Sequence, residues 1–99
     1  MSLVLQEEQG TITVTPAALA RLVIGAAEAV DGAEVRRGRR RLDIDVRDGD
    51  ARVRLELSAR YGVVLPELAR SVQEHVADAL GTMCGVNVEA VDVSVEEIT

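Results

Sequence analysis

The fold is decided by residues 41–60, RLDIDVRDGDARVRLELSAR. Apolar and polar residues alternate on both sides of Asp48-Gly49, and a period of two is typical of strands with one buried face. Asp-Gly favours a two-residue type I′ turn, because both central residues of that turn need a positive φ. The stretch therefore predicts a β-hairpin whose apolar face belongs to the core.

The turn also predicts which residues of the two strands face each other. Every pair on the polar face then has opposite charges: Arg47 with Asp50, Asp45 with Arg52, Asp43 with Arg54, and Arg41 with Glu56. Each such pair contributes only about 0.2 to 1 kcal/mol, but a one-residue slip would also turn the apolar set to water. We therefore interpret these charges as structural rather than as a catalytic or metal-binding carboxylate cluster.

A first helix is predicted to begin at Pro16 and to end at Asp31-Gly32. Thr15 is a suitable N-cap, and proline is favoured at the first helical position. An apolar stripe recurs at helical spacing and should face the core. Its members are Leu19, Leu22, Val23, Ala26 and Val30.

The other faces of this helix are unusually apolar. Ala17, Ala20 and Ile24 lie away from the main stripe, and only Arg21 and Glu28 are charged. A helix that is apolar nearly all round usually has a neighbour on both sides, so these three residues are candidates for a self-association surface. Alanine is also a common helix former, and a single exposed isoleucine needs no explanation, so both interpretations stay open.

A second helix is predicted from Pro66, with Gly81 or Gly85 closing it. Its apolar stripe consists of Leu65, Leu68, Ala69, Val72, Val76, Ala79, Leu80 and Met83. A Val-rich strand follows, and its apolar phase changes across Glu89-Ala90, which indicates a bulge or bend.

The order of these elements predicts an α+β domain, a two-layer sandwich with two helices packed on one face of a small mixed or antiparallel β-sheet. The order is β-α-β-β-α-β, because Ile12 and Val14 alternate with threonines as in a short first strand. Residues 1–9 show no clear periodicity and are interpreted as a flexible segment, so the domain is expected to span residues 10–99.

Composition limits the classes of function. Ninety-nine residues fit one core, and a net charge of −6 argues against general nucleic-acid binding. Cys84 is the only cysteine and no signal segment is recognised, so a cytoplasmic location is expected. The longest unbroken apolar or glycine run, Leu22 to Ala27, is far shorter than the roughly 20 residues of a membrane-spanning helix.

The sequence contains no recognisable catalytic constellation. His75 is the only histidine and lies at the border of the apolar stripe, and Cys84 is about half a helical turn out of phase with it. The two side chains should therefore diverge, and they make a poor metal pair. Phosphate-binding glycine loops are absent as well. We expect a protein that is not an enzyme and that needs no cofactor or metal.

One basic segment interrupts the acidic chain. It contains Arg36, Arg37, Arg39, Arg40 and Arg41, with only Gly38 between them. Guanidinium groups suit carboxylates, phosphates and lipid headgroups, so Arg36, Arg37, Arg39 and Arg40 are candidate residues for binding a partner or an anion. The same segment is also compatible with a solvated loop, or with a small nucleic-acid or anion-binding module.

Four segments of the chain resemble the bacterial alkaline-shock protein family, also described as envelope-stress-response proteins. They are Ile12-Thr-Val-Thr-Pro16, Ala29-Val-Asp-Gly-Ala33, Tyr61-Gly-Val-Val-Leu-Pro-Glu-Leu-Ala69 with Val72-Gln-Glu-His-Val76, and Met83-Cys-Gly-Val-Asn-Val88 with Val91-Asp-Val-Ser-Val95. The third segment is the most specific. Tyr61, Gly62 and Pro66 match the family motif, and the resemblance implies that they shape the strand-to-helix turn.

The resemblance also implies a function. It suggests a cytoplasmic, non-enzymatic scaffold or adaptor that forms homo-oligomers. Such a protein would be held near the inner face of the membrane by a small integral-membrane partner and would support the envelope under stress. The long charged tails of some relatives are missing here, which puts tail-mediated anchoring in doubt.

Overall fold

The computed structural model describes residues 3–38 and 41–99, which form two helices and six strands. In chain order these are β1 (Leu3–Glu7), β2 (Gly10–Val14), α1 (Pro16–Glu28), β3 (Ala33–Val35), β4 (Leu42–Arg47), β5 (Asp50–Ala59), α2 (Leu65–Cys84) and β6 (Asn87–Ile98). The α+β fold predicted from the sequence is confirmed.

Strand β5 is the centre of a four-stranded mixed sheet. Along one edge it pairs antiparallel with β3 and β4, which follow one another along its length. Along the other edge it pairs parallel with β6, and α2 makes the connection between these two strands. The sheet is therefore a β-hairpin joined to a β-α-β unit.

The predicted turn between β4 and β5 is confirmed. Asp48 has a φ of 51° and Gly49 a φ of 81°, as a type I′ turn requires. The predicted register is found as well, since Asp45 faces Arg52 and Asp43 faces Arg54. This agreement shows that turn chemistry and apolar alternation specify the same pairing.

Both helices cover one face of the sheet. On β5 the residues of that face are at most 1% exposed: Ala51, Val53, Leu55, Leu57 and Ala59. The alternate residues Arg52 and Arg54 are exposed on the opposite face. The chain thus has a single aliphatic core between helices and sheet and one open, charged sheet face.

The helix ends follow known capping rules. The Thr15 side chain accepts a hydrogen bond from the Ala18 N–H at 3.2 Å, which confirms the predicted N-cap of α1. That helix ends at Glu28, before the predicted Asp31-Gly32. Gly85 closes α2 in the left-handed conformation.

The prediction for the start of the chain is wrong in two respects. Leu3–Glu7 form a strand rather than an irregular segment, and they pair with Gly10–Val14 in a separate two-stranded sheet. Strand β2 therefore does not join the main sheet as the predicted order implied. Val4 interrupts the alternation of Leu3 with Leu5, so the period of two was hidden. The position of the domain boundary stays a prediction.

The last strand contains the predicted bulge and a second one. The register with β5 shifts at Glu89, as the change of apolar phase indicated, and shifts again at Glu96. The second bulge was not predicted, because it leaves too few residues behind it to reveal a new phase.

Candidate partner-binding surfaces

The arginine-rich loop, residues 36–41, leaves and re-enters the sheet opposite one residue, Glu56. The Arg36 N–H donates to the Glu56 carbonyl at 2.9 Å, and the Glu56 N–H donates to the Arg41 carbonyl at 2.9 Å. The Arg41 guanidinium also lies 3.1 Å from the Glu56 carboxylate. The predicted pairing of Arg41 with Glu56 is thus confirmed, and this arginine is already engaged.

Arg37 is held by the first helix. Its guanidinium lies 3.2 Å from the Glu28 carboxylate, which also accepts a 2.9 Å hydrogen bond from the Val35 N–H. The Arg37 side chain is nevertheless 64% exposed. Arg39 and Arg40 lie outside the described residues. The loop therefore has two arginines tied to acids of its own chain, and its role in binding stays a prediction.

The candidate self-association residues Ala17, Ala20 and Ile24 lie along one flank of α1, and Ala20 lies beside β4. Ala17 is exposed, whereas Ala20 and Ile24 are half-buried and Ile24 packs against the core. Ala20 lines a shallow groove of about 180 Å³ with Pro16, Leu19, Leu42, Asp43 and Ile44. The flank thus exposes less apolar surface than a helical projection suggests, but it borders a groove beside an edge strand.

The motif junction between β5 and α2 is held by its backbone rather than by the tyrosine side chain. Gly62 has a φ of 97°, a conformation that favours glycine, and Pro66 lies in the first turn of α2. The Tyr61 N–H donates to the Thr99 carbonyl at 2.7 Å, while the residue is 83% exposed. Gly62 and Pro66 lie where a turn-shaping role requires them, but the Tyr61 ring packs on little of its own chain.

The open sheet face carries ion pairs that connect its strands. The Arg52 guanidinium lies 2.9 Å from the Glu89 carboxylate of β6, and this hydrogen bond raises the pKa of Arg52. A shallow depression of about 410 Å³ beside this pair is lined by acids and arginines, namely Asp45, Arg47, Asp48, Asp50, Arg52 and Glu89. Since these acids are interleaved with arginines, the depression does not concentrate charge of one sign.

His75 and Cys84 were the two candidates for a catalytic role, and neither lies in a setting that favours catalysis. His75 is exposed, and its Nδ1 lies 2.8 Å from the Ser71 carbonyl, which can only accept, so the ring nitrogen donates. Cys84 is buried at the end of α2, and burial raises the pKa of its thiol. A buried thiol with a raised pKa is a poor nucleophile.

Residues 3–38 and 41–99 were also compared with the requirements of a metal site and of a membrane span, and they meet neither. No three His, Cys, Asp or Glu side chains in this part of the chain come together as metal ligands. Neither helix there is both long enough and apolar enough to cross a membrane.

Fold and sequence together place the chain in one class, a small two-layer α+β domain with an open, charged sheet face. It belongs to the alkaline-shock protein family, whose description gives a cell envelope-related function, and the family model matches residues 34–99. The match includes the hairpin, the motif junction, α2 and β6. No curated protein matches the chain.

Solved structures of MamM CTD proteins share the fold. A copper form of one variant superposes with a TM-score of 0.58 at 20% identity, covering 84% of this chain and 98% of that one. A cadmium form of another variant gives a TM-score of 0.56 at 22% identity, covering 82% of this chain and 94% of that one. At this identity the likeness supports the fold and nothing further.

Proposed function

We propose that this chain is a non-enzymatic adaptor of the cell envelope that associates with copies of itself and binds a membrane-anchored partner from the cytoplasmic side. The observation that carries the proposal is the family match over residues 34–99, because the family's described function is cell envelope-related. The acidic balance of the chain favours protein contacts over contact with an anionic membrane surface.

The geometry supports a role in binding rather than in catalysis. Several large apolar side chains are at least half exposed: Val4, Ile12, Tyr61, Val64, Met83 and Ile98. Single exposed apolar residues are normal on a protein surface, so the support comes from those that lie close together, Tyr61 and Val64 with Ile98 at the end of the sheet. A groove of about 410 Å³ on the described residues is shallow and open, and its acids alternate with arginines. Such an open groove suits surface contacts better than an enclosed active site.

We do not propose that this chain binds metal ions. The solved structures of the MamM CTD include copper and cadmium forms of that protein. In the described part of this chain no cluster of three metal-ligating side chains is found.

The alternative is an anion-binding or nucleic-acid-binding module that uses the loop Arg36–Arg41. Charge reversal of Arg37, Arg39 and Arg40 separates the two functions. The alternative requires that retention on nucleic acid be lost in this variant. The adaptor function predicts that the unmodified chain is hardly retained on nucleic acid at physiological salt, so the charge-reversed variant should differ little from it.

Affinity capture from gently solubilised cells tests the adaptor function directly. We expect the tagged chain to recover copies of itself and a short integral-membrane protein. Capture should be repeated after nuclease treatment, which removes contacts that depend on nucleic acid. Recovery of RNA or DNA alone, with no membrane protein, would overturn the proposal.

A further inference from the structure

An exposed apolar patch lies at the end of the sheet where β5 and β6 finish and α2 begins. We call it the end patch and define it by Tyr61, Val64 and Ile98, which are 83%, 57% and 53% exposed. The Tyr61 N–H donates to the Thr99 carbonyl, and the Thr99 N–H donates to the Ala59 carbonyl. These two hydrogen bonds hold the chain segments of the patch side by side.

A shallow groove of about 280 Å³ adjoins this patch. We call it the end groove. It is lined by Val30, Asp31, Val63, Val64, Glu67, Leu68 and Ser71. Leu68 is only 5% exposed and Val30 and Val63 are half-buried, so the groove has apolar walls, while Asp31 and Glu67 are exposed acids beside them. An apolar side chain that enters this groove would therefore have carboxylates close by.

The charges around the end patch are mainly acidic. Glu96 and Glu97 are exposed beside Ile98 at the end of β6, and Glu67 lies in the first turn of α2. The nearby Arg60 is already bound by Asp31, with the two groups 2.9 Å apart. The end of the sheet thus carries the exposed acids Glu67, Glu96 and Glu97 as well as an exposed tyrosine, and a tyrosine ring attracts guanidinium and ammonium groups over its face.

We propose that the end patch and end groove bind a basic, apolar-containing cytoplasmic segment of the membrane-anchored partner. An apolar side chain of that segment would occupy the end groove, and an Arg or Lys would lie over the Tyr61 ring near Glu67 and Glu96. The inference rests on the proposed function and deepens it by assigning the partner's chemistry and its place on this chain.

The physical reason for this partner lies in the charge of membrane proteins. Their cytoplasmic segments next to the membrane carry an excess of Lys and Arg. The inner membrane surface itself is negative and repels an acidic chain of net charge −6. A basic segment therefore attracts this chain to a surface that would otherwise repel it. Tyrosine is also over-represented among the residues that dominate binding energy at interfaces.

A peptide titration tests the binding surface in solution. The probe is a synthetic peptide of Leu and Arg in equal numbers, with the same peptide carrying Glu in place of Arg as control. We expect amide NMR shifts at Tyr61, Val64 and Glu67 with the Arg peptide only. Tyr61→Ser should weaken binding at least tenfold, whereas Met83→Ser, which removes a 69% exposed apolar side chain from the other end of α2, should not. Equal weakening by both variants, or shifts centred elsewhere, would overturn the inference.

Membrane fractionation tests the same surface in cells. The intact chain should be found with the membrane, Tyr61→Arg should release it, and Met83→Arg should leave it bound. If the intact chain sediments with membranes and Tyr61→Arg still does so, the inference fails while the adaptor function stands. If the intact chain never sediments with membranes, the adaptor function itself fails.

Two further measurements distinguish other occupants of the end patch. If Tyr61→Arg reduces oligomer size in light scattering and leaves membrane retention unchanged, the patch binds a second copy, which overturns the inference. If the purified chain binds vesicles rich in anionic lipid and Tyr61→Ser abolishes that binding, the patch contacts lipid, which also overturns it. The inference requires that neither result be obtained.

Discussion

Glu28 of α1 accepts a 2.9 Å hydrogen bond from the backbone N–H of Val35, an edge residue of the main sheet. On the opposite edge the Gln73 side chain of α2 donates to the Val91 carbonyl at 3.0 Å. Unpaired groups on edge strands are templates for pairing with another chain. Each helix therefore satisfies a backbone group on one edge of the sheet as well as covering its face.

Replacement of Glu28 should be costly because a part-buried N–H would lose its acceptor. We expect Glu28→Ala to lower the free energy of unfolding by about 1 to 3 kcal/mol, and Glu28→Gln, which keeps an acceptor oxygen, by less. Glu74→Ala changes an exposed glutamate of α2 and should stay within about 0.5 kcal/mol of the unmodified chain. Urea unfolding measures all three, and equal effects of Glu28→Ala and Glu74→Ala would contradict the assigned hydrogen bond.

Replacement by alanine should change the stability of the chain in opposite directions at two glycines whose surroundings are equally open. A Cβ added at Gly25 or at Gly49 meets nothing within 4 Å, but only Gly49 has a positive φ, of 81°. Gly25→Ala should stabilise the chain by about 0.5 to 1 kcal/mol, because alanine is the better helix former. Gly49→Ala should destabilise it by about 1 to 2 kcal/mol. Thermal unfolding measures both, and a neutral Gly49→Ala would argue against the type I′ turn.

The ion pair between Asp31 and Arg60 should give a stability contribution that depends on pH. The hydrogen bonds and charge of Arg60 lower the pKa of Asp31 in the folded chain. A lowered folded-state pKa stabilises above the unfolded value, about 3.9 for Asp, and the contribution is lost as the pH falls through the folded value. The melting temperature of Asp31→Asn should therefore fall below that of the unmodified chain at neutral pH and approach it in acid.

The titration of Asp31 can also be followed directly by carboxyl NMR. Arg60→Gln should raise the pKa of Asp31 toward its ordinary value, whereas Arg70→Gln, at an exposed site of α2, should leave it low. An unchanged pKa in Arg60→Gln would show that another group causes the shift.

Self-association through the flank of α1 that carries Ala17, Ala20 and Ile24 should be sensitive to charge at Ala17. Ala17 and Ala18 are both exposed in the first turn of α1, but only Ala17 lies on the flank with Ala20 and Ile24. We expect Ala17→Arg to weaken self-association at least tenfold, about 1.4 kcal/mol, and Ala18→Arg to leave it unchanged. Sedimentation velocity over a concentration series measures both. Equal effects would move the interface away from this flank.

Cys84 should report on global unfolding. The thiol is buried at the end of α2, and burial raises its pKa, so little thiolate is present in the folded chain. Labelling by a thiol reagent should therefore be slow in buffer and should accelerate along the urea unfolding curve. Fast labelling of the folded chain would show that the C-terminal turn of α2 opens locally.

The parts of the fold that were predictable depend on local chemistry. Asp48-Gly49 specifies the type of turn. The apolar alternation of the two strands beside it specifies the same strand pairing as that turn. The strand Leu3–Glu7 was missed because Val4 masks its alternation. The parallel pairing of β6 with β5 could not be predicted from the sequence. The ion pair of Arg52 with Glu89, rather than with Asp45, depends on that pairing and could not be predicted either.

The candidate sites were less predictable, because exposure depends on tertiary packing. Ile24 is apolar and off the main stripe, yet it is half-buried because it packs against the core. The family motif predicts that Tyr61 helps to shape the strand-to-helix turn, yet its side chain is 83% exposed. Periodicity indicates which face of an element is apolar, but it does not indicate where an element extends beyond its neighbours.

The attachment of the arginine-rich loop to Glu56 has a consequence for protein engineering. Because the loop departs and returns opposite one residue, we expect β3 and β4 to stay aligned on β5 when residues are inserted between Arg36 and Arg41. Longer loops cost little closure entropy, about 0.6 kcal/mol for each doubling of length. The position is therefore a natural grafting point, where a reporter peptide or a new recognition sequence can be displayed without redesign of the domain.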